Sequence, residues 1–404
     1  MKFGYCIVAL AVAGCSGGDK YIDMTPPEAL LPTEIFWCAI ATDIDGDGFT
    51  DLVIGSDVTE NRNRIASGLA VYTQDSSNPG SFSSPDYYDY GSIDAYPDWM
   101  MATDLNLDDR PEVLATSWYE SGFRAFLNDP LIPGVLLPSS HYSAGSENSS
   151  FGKSLAVADI DADGLTDVVR VTDSTVYWLP QDGGNPGTFL PARIIGPGQK
   201  DVVTGDVNSD GLADVVVIRG TGPATKEISI YVNNPAFPST FFAPKHILLP
   251  ISVSFLGLAD FDQNGLMDIA VGGSYVVAGD YNPNDDGRFL AVRQNAPGQY
   301  AITGQLLTEN LGVSSPFVIG DLDGDRFPDV ALGVGDSTAI IAVAAYATPI
   351  VRYRLSTPGA QYIADLNNDT LNDIVHLYRG LLVSFQRVDQ PGTFAEPITV
   401  GTPF

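Results

Sequence analysis

The sequence predicts an all-β chain: a seven-bladed β-propeller of four-stranded antiparallel blades. Three observations predict it. One acidic motif recurs seven times along the 404 residues. Short apolar runs that read as strands flank each copy, while helix-period patterning is hard to find after residue 35. Successive copies lie 44 to 61 residues apart, which is the size of four strands with their turns. The 41 Gly and 28 Pro fit the many turns such a chain needs.

Residues 1–14 read as a leader. Lys2 supplies a positive start, and Ile7 to Ala13 form an apolar stretch far below the roughly 20 residues of a spanning helix. It ends in Val12-Ala13-Gly14-Cys15, which resembles the lipobox of bacterial lipoproteins. The resemblance implies cleavage before Cys15 and acylation of Cys15, and Ser16 after it implies sorting to the outer membrane. An exported lipoprotein held by a lipid anchor is expected. Residues 15–35 read as a tether, and 36–404 as the propeller. Cys38 is the one cysteine left in the body, so no disulfide forms there, and it reads as a buried thiol.

Each repeat reads as a strand, an acidic loop, a second strand, a turn, a third strand, a Pro-Gly loop and a fourth strand. Loop 1 places Asp43, Asp45, Asp47 and Asp51 at positions 1, 3, 5 and 9, with the Phe49 carbonyl at position 7. Loop 2 offers Asp104, Asn106, Asp108, Glu112 and the Arg110 carbonyl. Loop 3 offers Asp159, Asp161, Asp163, Asp167 and the Leu165 carbonyl, and loop 4 Asp206, Asn208, Asp210, Asp214 and Leu212. Loop 5 has Asp260, Asp262, Asn264, Asp268 and Leu266; loop 6 has Asp321, Asp323, Asp325, Asp329 and Phe327. Loop 7 has Asp365, Asn367, Asp369, Asp373 and Leu371. The Pro-Gly loops include NPGSF at Asn78, IPGVL at Ile132, NPGTF at Asn185, FPSTF at Phe237, APGQY at Ala296 and QPGTF at Gln390; the sixth repeat lacks one.

Alternate oxygens on a tightly turned loop point at one centre, and a cage of six or more oxygens suits Ca²⁺ better than Mg²⁺. The loops hold 25 of the 50 acids, which repel strongly without a cation. Up to seven structural Ca²⁺ are expected, and seven would move the net charge from −30 to −16. Position 6 needs a positive φ, which Gly48, Gly164, Gly211 and Gly265 adopt without strain. Asp109, Arg326 and Thr370 stand there in loops 2, 6 and 7, so those loops are expected to bind more weakly. The repeats run in phase from the first strand to the last, which leaves no obvious strand to lend for ring closure; residues 20–35 are a candidate outer strand.

The strand, DxDxDGxxD loop and strand unit resembles the FG-GAP repeat of integrin α-subunit propellers and the bacterial VCBS-type repeats, over about residues 36–402. Phe151-Gly152 precedes the third copy, and Val53-Ile54-Gly55-Ser56 and Val271-Gly272-Gly273 stand where the "GAP" element falls. The resemblance implies the propeller and its calcium. It implies no particular function, because the family spans lectins, adhesins, integrin heads and domains appended to enzymes.

A net charge of −30 repels nucleic acid and anionic lipid. The three histidines, His141, His246 and His376, fall in different repeats, and no nucleophile-elbow, H-E-x-x-H or phosphate-loop motif is present. The chain therefore reads as a non-enzymatic, surface-displayed binding or adhesion module for glycan or an envelope protein. A scaffold subunit of an envelope or secretion assembly, and a polysaccharide-modifying enzyme, are the alternatives. Tyr87, Tyr88, Tyr90, Trp99 and Trp118 are candidate sugar-stacking rings, with packing between blades as their other reading. The insertion GDYNPNDDGRF at Gly279 is a candidate loop for calcium or ligand.

Overall fold

The computed structural model describes residues 33–60, 63–92, 95–145, 155–220, 226–274, 287–308, 317–334, 337–343, 349–357, 359–377 and 380–400. The leader, Cys15, the tether up to residue 32, Phe151-Gly152 and most of the insertion at Gly279 lie outside them. Among the described residues there is no helix; 28 strands form seven four-stranded antiparallel sheets. Every sheet takes four strands consecutive in sequence, so each repeat makes one blade.

The first strands of the blades are Thr33–Thr42, Trp99–Thr103, Leu155–Ala158, Gln199–Gly205, Ser252–Ala259, Val318–Gly320 and Ala360–Ala364. They pack on one another around the ring and are therefore innermost. Blade 1 begins at Thr33, three residues ahead of the boundary read from sequence. The second strands are Asp51–Glu60, Glu112–Thr116, Asp167–Val171, Asp214–Arg219, Asp268–Ser274, Asp329–Val334 and Asp373–Leu377. Each starts on the position-9 acid, opposite the last residue of the first strand: Asp51 faces Thr42, Asp167 faces Ala158 and Asp373 faces Ala364. One register thus holds every acidic loop at the same end of the ring.

The second strands are the most apolar, as expected of strands buried on both faces; Val215, Val216, Val217 and Ile218 are all fully buried. The core is divided among seven apolar clusters, one for each contact between neighbouring blades. Blade 7 meets blade 1 the same way, with Leu366, Val375, Leu381 and Val383 against Ala39, Ala41, Leu52 and Ile54. Among the described residues, then, the ring closes by side-chain packing alone and no sheet mixes strands from both chain ends. Gly55, in the "GAP" element, sits at such a contact: a Cβ there would lie 2.7 Å from Cys38 Sγ and 2.9 Å from Pro97 Cγ.

Candidate functional site

The seven acidic loops share one internal hydrogen-bond plan. The position-1 carboxylate accepts the backbone N–H of position 6 in all seven, at 2.8–3.0 Å. The position-7 N–H donates to the position-5 side chain, again in all seven, at 2.8–3.0 Å. Position 6 has a positive φ whatever residue fills it: +89° at Gly164, but also +66° at Asp109, +71° at Arg326 and +73° at Thr370. Position 4 also turns left-handed, at Gly46 and Gly324 but also at Leu107, Ala162, Ser209, Gln263 and Asn368.

The position-9 residue is the best-buried acid of every loop: Asp51, Glu112, Asp167, Asp214, Asp268, Asp329 and Asp373 are each at most 1% exposed. One oxygen accepts the N–H of position 2, from 2.6 Å at Leu105 to 3.2 Å at Phe261. In six of the blades the other accepts the N–H of a Gln or Asn at or just past the end of the third strand, for example Gln74 onto Asp51 at 2.7 Å. Burial pushes Asp51, Glu112, Asp214, Asp329 and Asp373 up to about 7 and Asp167 up to about 6. Backbone N–H groups oppose the rise, and the other carboxylates of each loop add to it. Burial also raises Asp268, against the nearby Arg293.

Two residue classes essential to this plan went unread in the sequence. The position-2 residues Ile44, Leu105, Ile160, Val207, Phe261, Leu322 and Leu366 are 0% exposed and peg each loop into the core. The polar residue past the third strand is a clamp. The Gln181 amide donates to the Thr166 carbonyl at 2.7 Å, and its Oε1 accepts the Gly187 N–H of the Pro-Gly loop at 3.1 Å. Gln74, Asn233 and Gln386 make the same pair of bonds. The recurring signal was a lone Gln or Asn eight residues ahead of the Pro-Gly loop's apolar residue, as in Gln74 and Phe82.

In four loops, three carboxylates converge, with ligand atoms all within 4.8 Å of one another: Asp43, Asp45 and Asp51; Asp159, Asp161 and Asp167; Asp260, Asp262 and Asp268; Asp321, Asp323 and Asp325. Ligands on one calcium, each at about 2.3–2.6 Å, lie at most about 5 Å apart, so these donor sets fit the ion. Loops 2, 4 and 7 form no such triple among the described residues, and they are the loops with Asn at position 3. Asn106 spends its amide hydrogens on Asp108 (3.3 Å) and Glu112 (2.8 Å), and Asn208 donates to Asp210 (3.1 Å). A triple of carboxylates therefore marks an acid at position 3, where Asn offers an amide oxygen instead; the ranking read from sequence concerned the turn at position 6.

The candidate sugar-stacking rings do not gather. Tyr87 is exposed and Tyr88 half-buried on the outer strand of blade 1, with the Tyr88 hydroxyl donating to the Gly134 carbonyl at 3.3 Å. Tyr90 is wholly buried between blades 1 and 2, and Trp99 packs on the cluster between blades 2 and 3. Trp118, 45% exposed, precedes Tyr119, which belongs to a different aromatic group. There Trp37 stacks on Tyr96, centroids 4.3 Å apart and planes at 19°, and Tyr119 meets Tyr96 edge-on at 5.7 Å. Trp37 is the residue skipped where the first strand shifts register between Phe36 and Cys38, a bulge that re-aims its side chain. Its Nε1 donates to Asp57 Oδ2 at 3.0 Å, and the N–H groups of Tyr96 and Tyr119 both reach Ser117 Oγ at 3.3 Å. Tyr119 sits in the turn between the second and third strands, so this platform is at the end of the ring opposite the acidic loops.

A sequence profile of the FG-GAP-like repeat matches residues 159–217 and 206–271, each match opening on the first Asp of an acidic loop. Residues 159–271 thus carry FG-GAP-like repeats. Human integrin alpha-7 is 27% identical over 164 residues, an alignment covering 35% of this chain and 13% of the integrin. The chain thus spans a small part of that relative's length. A lectin from Agrocybe aegerita, described as specifically recognising non-reducing terminal N-acetylglucosamine, shares the fold with a TM-score of 0.50 at 17% identity, covering 83% of this chain and 80% of the lectin. The rhamnogalacturonan lyase YesW aligns at 14% identity and a TM-score of 0.48 over 95% of this chain and 75% of its own.

Proposed function

We propose that this FG-GAP propeller is an exported, calcium-stabilised binding module that takes glycan on its aromatic platform and does no chemistry itself. The carrying observation is the Trp37, Tyr96 and Tyr119 group. Trp37 is 40% exposed and Tyr119 60%, with Trp118 beside Tyr119 in sequence 45% exposed. Stacked rings offer flat apolar faces to the C–H faces of a sugar, and Asp57, accepting from the Trp37 indole, fixes that ring. A chain of net charge −30 selects neutral sugars over acidic ones. The integrin relative and the lectin that shares the fold support a binding role for such a ring. The reading extends to an outer-membrane lipoprotein anchored through Cys15, with an extracellular or envelope protein as the other ligand class.

A glycan array with the purified protein, in millimolar calcium and in chelator, tests it. Binding that Trp37→Ala abolishes while the melting temperature holds supports the platform. A blank array from folded, calcium-loaded protein sinks the glycan reading.

A further inference from the structure

Six of the blades carry the Gln or Asn clamp, five of them just past the third strand and blade 5, with Gln294, near the strand's end. In five of them the residue just before it is uncharged: Thr73, Leu127, Pro180, Val232 and Phe385. In blade 5 it is Arg293, whose side chain is only 7% exposed. Its guanidinium lies inside the fifth acidic loop, with Nη1 3.3 Å from Asp268 Oδ2 and 3.4 Å from Asp262 Oδ2. These are the position-9 and position-3 carboxylates, two of the three that converge there. Nη2 donates to the Val343 carbonyl of blade 6, and the group stands 5.9 Å over the Phe261 ring. Arg293 is thus held in place from three sides rather than lying loosely against the loop.

We infer that Arg293 is a built-in counter-cation that takes the place of calcium in loop 5. The inference rests on the calcium reading of the other loops. An ion bound at about 2.3–2.6 Å by Asp262 and Asp268 would sit beside a buried, permanently positive group, and in a poorly screened site that repulsion is large. Loop 5 also needs less neutralising, having three carboxylates where loops 1 and 3 have four. Loop 6 shows a weaker version of the arrangement. There Arg352 from the outer strand contacts Asp323 and lies 3.6 Å from Asp325, but it stays 36% exposed. Loops 1 and 3 converge with no such ion pair among the described residues. Calcium thus belongs to loops 1 and 3, while loop 5 is set by the chain's own charge and keeps its shape when calcium is withdrawn.

Calcium bound per full-length chain, counted by equilibrium dialysis with radioactive calcium, tests this. Asp43→Asn shows what losing one loop site looks like, namely one ion fewer, and a count that does not fall there overturns the calcium reading beneath the inference. Asp260→Asn is expected to leave the count unchanged. Arg293→Gln is expected to add one ion, and Asp260→Asn on that background to remove it again. A drop of one ion for Asp260→Asn alone overturns the inference, as does an unchanged count in folded Arg293→Gln. Because Arg293 also ties blade 5 to blade 6, its loss can unfold the ring; the Asp260→Asn comparison in the parent chain then decides alone.

Discussion

The backbone N–H of Gln181 donates to Asp167 Oδ1 at 2.7 Å, tying the exit of the third strand of blade 3 to the entry of its second. The other oxygen of Asp167 accepts the Ile160 N–H at 3.0 Å and the Trp178 indole at 2.9 Å. Asp167→Ala therefore strands three buried donors. Each orphan costs about 1–3 kcal/mol, so a loss of at least about 3 kcal/mol is expected. Asp167→Asn keeps an acceptor on one side only and should fall between. Urea midpoints in chelator measure both, and an alanine variant as stable as the parent would show that the acid is a metal ligand and nothing more.

That dual role marks where sequence reading stopped. Ligand-type residues at alternate positions are visible because each oxygen comes from a named side chain, so Asp159, Asp161, Asp163 and Asp167 could be read in order. The blades were legible because strand and turn signals recur in phase with them. What escaped depends on partners distant in sequence. Gln181 clamps a loop 15 residues earlier, and its fixed spacing from Phe189 shows only when the repeats are laid over one another. The platform escaped because a bulge, not a motif, turns Trp37 to the surface beside Tyr96, 59 positions on. Tyr90 was read as a candidate ring from its Tyr-rich neighbours, yet the chain carries it inward against Phe126.

Calcium should stabilise the ring, and unequally from loop to loop. A site filled at a hundredfold excess over its Kd contributes about 2.7 kcal/mol. Asp159→Asn in loop 3 should remove much of the calcium-dependent rise in Tm. Asp206→Asn at the same position of loop 4, where Asn208 already occupies Asp210 by hydrogen bonding, should remove little. Thermal melts with and without chelator check the contrast, and equal losses would contradict the role given to position 3.

Cys38 should report the opening of the ring. It is buried on the first strand of blade 1, with Sγ 3.5 Å from the Pro97 carbonyl leading into blade 2. Burial first, and then Asp98, push the thiol well above its ordinary value. A raised pKa keeps it protonated at pH 8, and the covering blade blocks access. Maleimide should leave Cys38 unmodified in the native protein and label it fully in denaturant, as followed by mass spectrometry. Rapid native labelling would mean that blades 1 and 2 part freely.

Thr370 and Gly164 occupy the same loop position, with φ of +73° and +89°. A left-handed conformation costs a residue with a Cβ about 1–2 kcal/mol, and threonine is among the least tolerant. Glycine avoids that strain but gives up about 0.5–1 kcal/mol of unfolded-state entropy. Thr370→Gly should therefore stabilise the protein by up to about 1 kcal/mol, since the backbone bond to Asp365 at 2.8 Å needs no side chain. Gly164→Thr should destabilise it by a similar amount. A Cβ at Gly164 meets nothing within 4 Å, so crowding does not confuse the result. Paired urea titrations in chelator should show opposite signs; two losses would mean that the Thr370 side chain holds loop 7 through a contact worth more than the strain.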